Sequence, residues 1–265
     1  MSKTLVQQQF GANAANYSTS TVHAKGASLG RLVELVKPRK NWIALDIATA
    51  AGHTAAAFAP HVAKVIASDL TPEMLVEARK IAESRGLTNM ETAAADAEDL
   101  PFGDETFNLV TCRIAPHHFP DVAAFVAESR RVLKPGGIFA LVDNVSPDVE
   151  TVPGFAQSDL DEAAKAYNAF EKLRDPSHGR ALTTPEWLDL IAAQGLTVLH
   201  KEHAPKAMDF AAWCKNMAVP ANTAVTLKQM LENASPALKA YLKPRNEDGK
   251  LGFTLFELIV VARKT

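Results

Sequence analysis

Cysteine is nearly missing from this chain. Only Cys112 and Cys214 occur, too far apart and too few for a disulfide framework, and their scarcity suits a reducing compartment. Long apolar runs are missing as well. The longest, near Leu258 to Ala262, falls well short of the roughly 20 residues that span a bilayer. The first residues, Met1 to Phe10, are polar and do not read as a secretory signal. These absences predict a cytoplasmic protein with no membrane span. Neither sign of charge dominates: the formal net charge is -2, which gives no electrostatic reason to expect nucleic acid or an anionic membrane as partner. There is no internal repeat and no low-complexity tract. The chain does have 265 residues with 47% hydrophobic content, enough for one large α/β domain with an added cap.

Glycine is scarce where it would be most expected. Leu45 to Ala55 reads as an apolar strand, a turn of small residues and the start of a helix. The next apolar run ends in an acid, Asp69. A strand, a tight small-residue turn and an acid one βα unit later form a nucleoside-binding half-site. A dinucleotide fingerprint needs three glycines there so that backbone can approach a pyrophosphate. Here Ala48 and Ala50 leave only Gly52. Each methyl blocks close approach and disfavours positive φ, which weighs against a diphosphate.

Strand and helix signals alternate through the first 144 residues. Strands are predicted at Trp42–Asp46, Lys64–Asp69, Met90–Ala94, Phe107–Cys112 and Ile138–Val142, and helices at His53–Pro60, Pro72–Arg85 and Val122–Leu133. A further helical stripe falls within His23 to Val36. Pro72 sits one place into its helix with Thr71 as cap, and Lys134-Pro135-Gly136-Gly137 turns a helix into a strand. This alternation predicts a parallel sheet with helices on both faces. Beyond Asn144 the pattern loosens. Helices are expected over Asp159–Leu173 and Thr184–Ala193, and last strands at Leu196–His200 and Phe253–Val261. The intervening Ala204 to Lys250 is too long for a hairpin loop and reads as a helical cap, with helices near Asp209–Met217 and Thr223–Asn233.

Several motifs in order carry a resemblance. They are Asp46 to Ala55, Asp69-Leu70-Thr71-Pro72-Glu73-Met74-Leu75, Asp96-Ala97-Glu98-Asp99-Leu100-Pro101-Phe102, Phe107 to Arg113 followed by His117-His118-Phe119, and Arg131 to Gly137. At this spacing the chain resembles the class I S-adenosylmethionine-dependent methyltransferases, near the quinone-biosynthesis C-methyltransferase group. The resemblance implies a Rossmann-like, seven-stranded, mostly parallel sheet. It implies an N-terminal helical segment over the cofactor (1–37), a core (38–203 and 251–265) and a cap insertion (204–250). The implied cofactor is S-adenosylmethionine, with S-adenosylhomocysteine as product. That cofactor carries no phosphate, so the alanines weigh less against it.

The resemblance also assigns contacts. Backbone at Ala48 and Gly52, after Asp46, would touch the methionine tail, with Thr54 assisting. Asp69 would take the ribose hydroxyls, Met74 would pack on adenine, and Asp96 would accept its amino group beside Ala97. Arg113 and Ala115 would lie near the sulfonium. Two residues depart from the pattern: Ala50 stands for a glycine, and Asn108 for an aspartate that often opens the fourth strand.

Methyl transfer from a sulfonium is an in-line displacement that needs an aligned nucleophile and a dry pocket. A base is required only when the acceptor must lose a proton. The candidate bases are His118, His178 and Tyr17, with His117 and His23 beside them. Adjacent residues on extended chain point oppositely, so one of His117 and His118 is expected to face the pocket, and His118 is preferred. No third ligand stands at zinc spacing, so no metal is expected. Asp143 and Asn144, at the exit of the fifth strand, are expected to border the pocket. The function expected is methyl transfer to a small, apolar or aromatic acceptor. Its alternatives are a macromolecular methyltransferase, disfavoured because Lys and Arg are spread thinly, an S-adenosylmethionine-binding protein without turnover, and lastly a dinucleotide oxidoreductase.

Overall fold

A computed structural model describes residues 3–9, 11 and 26–265. Residues 3–9 are helical. The elements that follow are α1 (Ala27–Val36), β1 (Ile43–Ile47), α2 (His53–Phe58), β2 (Lys64–Asp69), α3 (Pro72–Ser84), β3 (Met90–Ala94), β4 (Phe107–Arg113), α4 (Val122–Val132) and β5 (Leu133–Asn144). Next come α5 (Gln157–Arg174), α6 (Thr184–Ala193), β6 (Leu196–Asp209), α7 (Phe210–Lys215), α8 (Ala221–Glu232), α9 (Pro236–Leu242), β7 (Arg245–Glu247) and β8 (Lys250–Lys264). The sheet runs β3-β2-β1-β4-β5-β8-β6, with β7 paired antiparallel to β8. Pairs β1–β2, β1–β4, β2–β3 and β4–β5 are parallel. This is the Rossmann-like α/β fold, with an eighth short strand that the sequence reading did not foresee.

The central strands are apolar because both faces are covered. In β1, Ala44 to Ile47 are all buried, as are Leu109 to Cys112 of β4 and Ile138 to Val142 of β5. Strand order reverses between β1 and β4. Chains leaving the two strands diverge there, and a crevice opens at their C-terminal ends.

The chain divides into two compact units, residues 1–143, 188–202 and 259–265 against 144–187 and 203–258. The first holds most of the sheet with α1 to α4. The second is built on α5, against which α8 and α9 pack. Its core is aromatic: Phe170 stacks on Trp213 at 4.8 Å between ring centroids, and Phe253 meets both edge-on. Tyr241 donates its hydroxyl to the Val145 carbonyl.

Two elements of this second unit depart from the sequence expectation. β6 continues to Asp209, past the predicted end at His200. Its second half contains Pro205 and lacks the apolar alternation that marks a strand. Helix α9 was not foreseen, although Ser235 accepts from the Leu238 amide at 3.3 Å and Pro236 opens the first turn, which together are a helix-start signal. Among the described residues, no helix is long and apolar enough to cross a membrane.

Candidate active site

The crevice at the β1/β4 switch point is lined wholly by residues of the first unit. Behind the lining lies Asp46, the fourth residue of β1, which is 1% exposed. Parallel register sets Asp46 beside Thr111 of β4, and the Thr111 hydroxyl donates to Oδ1 at 2.6 Å. Oδ2 accepts from the Thr49 hydroxyl at 2.5 Å and the Ala55 amide at 3.1 Å. Asp46 therefore ties the strand end to the turn and to the first turn of α2. Burial raises its pKa to about 6 against the pull of those donors. Asp46 does not itself line the crevice; it shapes the loop that does.

That loop adopts the conformation glycine would favour, without glycine. Ala48 and Ala50 have φ of 50° and 48°, in the left-handed region. The Ala50 amide donates to Asp69 Oδ2 at 2.8 Å. Gly52 has φ of 85°, and a Cβ there would lie 2.8 Å from Met90 Cε and 2.9 Å from Ala78 Cβ. Gly52 is thus required for packing against α3 and β3, and it is absent from the crevice lining. Its expected contact with a ligand is replaced by a role beneath the loop.

Asp69, at the end of β2, is 8% exposed and lines the crevice. Its other oxygen, Oδ1, accepts from the Thr71 amide at 2.9 Å, so one carboxylate fixes both the β1 turn and the start of α3. Burial raises its pKa, opposed by these amides. A carboxylate oxygen has two lone pairs, which leaves capacity for hydroxyl donors from a ligand. Met74, on the first turns of α3, is 1% exposed and also lines the crevice.

Asp96 and Ala97 follow β3 on the far side of the crevice. The Ala95 amide bonds the Asp69 carbonyl at 3.1 Å, holding the two acidic corners together. Asp96 Oδ1 accepts from the Glu98 amide at 3.0 Å, and Oδ2 pairs with Lys3 Nζ at 2.5 Å. The loop's continuation is clamped from α4. Arg131 donates to the carbonyls of Leu100 and Phe102, at 2.9 and 2.8 Å, and Glu128 accepts from the Leu100 amide at 2.8 Å. Its hydrogen bond with Arg131 lowers the Glu128 pKa. Sequence reading noticed Arg131 only as part of a turn motif and did not notice Glu128. Neither touches the crevice, so their role shows only in three dimensions.

The β4 side supplies Arg113, Ile114, Ala115 and His118. Arg113 Nε donates to Thr54 Oγ1 at 3.0 Å, and this joins β4 to α2 across the crevice. Ile114 has φ of 56°, a rare conformation for a β-branched residue, and its amide bonds the Val142 carbonyl at 2.7 Å. The two histidines stand in a 3-10 turn, Pro116–His118, instead of on extended chain, and their ring centroids lie 4.2 Å apart. His118 lines the crevice, while His117 Nδ1 meets Asp143 Oδ1 at 2.6 Å. Asp143 is fully buried in that pair and does not line the crevice, contrary to expectation. Asn108 repairs its own departure from pattern: Oδ1 accepts from the Ile43 amide at 3.0 Å, joining the starts of β4 and β1.

His178 belongs to the second unit. It is 2% exposed, and its Nε2 meets Asn168 Oδ1 at 2.8 Å. Asn168 also accepts from the Ala181 amide and donates to Ser146 Oγ. That is a satisfied polar core, and such networks rigidify loops. Tyr17 and His23 lie outside the described residues.

The crevice thus presents Ala48, Thr54, Asp69, Met74, Asp96, Ala97, Arg113 and His118 together, with Asp46 and Gly52 shaping it from below. Among the described residues its charged lining is three carboxylates (Asp69, Asp96, Glu98) against two cations, Lys3 and Arg113. This set repels a diphosphate and suits a nucleoside carrying hydroxyl and amino donors and a positive charge.

Comparison with known proteins agrees with this geometry. Residues 45–141 match the methyltransferase domain family. The chain is 33% identical to the uncharacterized methyltransferase YcgJ of Bacillus subtilis (strain 168), over 95% of this chain and 96% of that protein. It is 30% identical to the ubiquinone/menaquinone biosynthesis C-methyltransferase UbiE of Brucella canis, over 55% of this chain and 51% of that protein. A crystal structure of a Bacillus halodurans C-125 protein assigned as a methyltransferase superposes with a TM-score of 0.82 at 38% identity, covering 90% of this chain and 99% of that one.

Proposed function

The chain belongs to the S-adenosylmethionine-dependent methyltransferases, and we propose that it methylates a small, apolar or aromatic molecule on carbon or oxygen, with the crevice at the β1/β4 switch point as its cofactor site. The observation that carries this reading is the convergence of Asp69 and Asp96 on one crevice with more carboxylates than cations. S-adenosylmethionine, when bound, supplies an electrophilic methyl group on a sulfonium. Asp69 holds the ribose hydroxyls, and Asp96 accepts the adenine amino group. Met74 lies against the base. The Ala48–Ala51 backbone receives the amino-acid tail. Arg113, Ile114 and His118 border the reacting end, where His118 takes a proton from an acceptor that must lose one.

Alignment and exclusion of water supply most of the acceleration for such a displacement. A small acceptor is favoured by the near-neutral charge of the chain, which gives no overall electrostatic pull toward nucleic acid. The quinone-biosynthesis name of the UbiE relative supports an aromatic acceptor. That likeness spans about half of this chain, and specificity resides in variable segments.

Calorimetry with S-adenosylhomocysteine, followed by transfer of labelled methyl to a panel of phenols, quinols and other apolar acceptors, tests the reading. Binding with transfer to at least one acceptor is expected. Binding without transfer to any acceptor would point to a cofactor-binding protein without turnover. Failure to bind, with saturation by a nicotinamide or flavin cofactor at micromolar levels, would overturn the assignment.

A further inference from the structure

The crevice is not open to a nucleoside as it stands. It holds about 100 Å³, whereas sites for small organic ligands run about 300–1,000 Å³. Described N-terminal residues stand in the opening. Lys3 and Val6 are part of the lining. Lys3 Nζ lies 2.5 Å from Asp96 Oδ2 and 2.7 Å from Glu98 Oε2. At the opposite lip, Gln7 Nε2 donates to the Leu70 carbonyl at 2.9 Å. Gly11 sits so close to α3 that a Cβ on it would be 3.3 Å from Glu73 Oε2. The N-terminal segment is therefore fastened on both sides of the opening, on the β3 exit loop by a charge pair and on the β2–α3 turn by a hydrogen bond.

We infer that Lys3 is an autoinhibitory latch, whose ammonium occupies the carboxylate that the adenine amino group must use, so that cofactor entry requires the Lys3 contacts with Asp96 and Glu98 to break. The inference rests on the cofactor-site reading above. Both groups are cationic or hydrogen-bond donors aimed at the same acceptor, so they compete. Asp96 Oδ1 also accepts from the Glu98 amide, so the ammonium and the adenine amino group must share what remains of one carboxylate. The pair is about a third exposed, 38% for the Lys3 side chain and 27% for Asp96, which makes it weak enough to release and sensitive to salt.

Titration of S-adenosylhomocysteine into wild type, Lys3→Met, Lys3→Arg and Gln7→Ala, at low and high sodium chloride, tests the latch. The exposure of Lys3 makes misfolding of these variants improbable, and circular dichroism checks it. Lys3→Met is expected to bind about two- to fivefold tighter at low salt, the worth of a partly exposed pair, with faster association. Wild-type affinity rises with salt, and the Lys3→Met affinity does not. Lys3→Arg behaves as wild type, and Gln7→Ala shifts in the same direction as Lys3→Met. Equal or weaker binding by Lys3→Met, with wild type still binding, overturns the latch and leaves the cofactor site standing. Absence of binding by every protein overturns the cofactor reading and the latch with it.

Discussion

Replacing Ala48 or Ala50 by glycine should stabilise this protein, although glycine substitutions usually weaken proteins. Both alanines sit at positive φ, 50° and 48°, where a non-glycine residue costs about 1–2 kcal/mol. Glycine removes that cost but gives the unfolded chain more freedom, which costs about 0.4–1 kcal/mol. Each methyl is half-buried, so little packing is lost. The net gain is about 0–1.6 kcal/mol per site from these two terms, centred on about 0.8. The amide that Ala50 donates to Asp69 survives the change. In a chain of this size about 1 kcal/mol moves the midpoint of thermal unfolding by roughly 2–4 °C. Urea unfolding and thermal scans of Ala48→Gly, Ala50→Gly and the double variant measure it. The sites are two residues apart in one loop, so the double variant need not equal the sum. If either single variant lost stability, the left-handed strain assigned to that position would be wrong.

Other consequences can be measured on the same protein. Gly52→Ala should cost about 2–4 kcal/mol, combining left-handed strain with a collision against Ala78; a loss under 1 kcal/mol in urea unfolding would show that α3 yields. Asp69→Ala leaves the Ala50 and Thr71 amides without their acceptor and should lose about 1–3 kcal/mol of stability, together with at least tenfold in S-adenosylhomocysteine affinity by calorimetry. Asp46 titrates near 6 folded against 3.8 unfolded, so the folded state holds the extra proton between those values. Its contribution is fully present below about pH 4 and lost as pH rises through 6, a change of about 3 kcal/mol. The stability of Asp46→Asn relative to wild type should therefore climb between pH 4 and pH 7.5, and a flat difference would refute the raised pKa. His178→Leu should cost about 1 kcal/mol by breaking the Asn168 contact, with no change in S-adenosylhomocysteine affinity.

Much of the first unit could be read from the chain because its signals are local. Buried parallel strands announce themselves as short apolar runs, and the βα turns carry small residues and caps. The predicted spans for β2 and β3 coincide with the observed ones. The lining residues Ala48 and Asp69 were legible for the same reason: each stands at a strand exit, where ligands gather; Asp96 was legible through the family resemblance. What could not be read was long-range. The Arg131 and Glu128 clamp acts on Leu100 from about thirty positions away, and nothing in the residue types reveals it. Lys3 meets Asp96 across 93 positions. His178 was a candidate because polar residues crowd its segment; crowding also describes a structural network, and the contact with Asn168 is one that a single sequence does not reveal. In the second unit the second half of β6 and the hairpin of β7 and β8 obey pairing instead of composition, and pairing is not visible in one sequence.

The crevice also shows what a glycine-poor version of this turn requires. Three lining residues, Ala48, Ala50 and Ile114, carry positive φ, together about 3–6 kcal/mol of backbone strain. Strain of that size persists only where the surroundings over-determine the conformation. Here they do. Asp46 collects three donors, Asp69 fixes the turn through Ala50, and the Ile114 amide is held by β5. The two buried acids thus have a structural task before any ligand arrives. This explains why a chain can give up two glycines in the turn without giving up the shape. Losing either acid should then release the loop as well as the ligand, whereas losing Asp96, which lies on a loop clamped independently by Arg131, should weaken binding with little effect on stability. That difference would separate Asp69, which also builds the loop, from Asp96, whose proposed task is recognition alone.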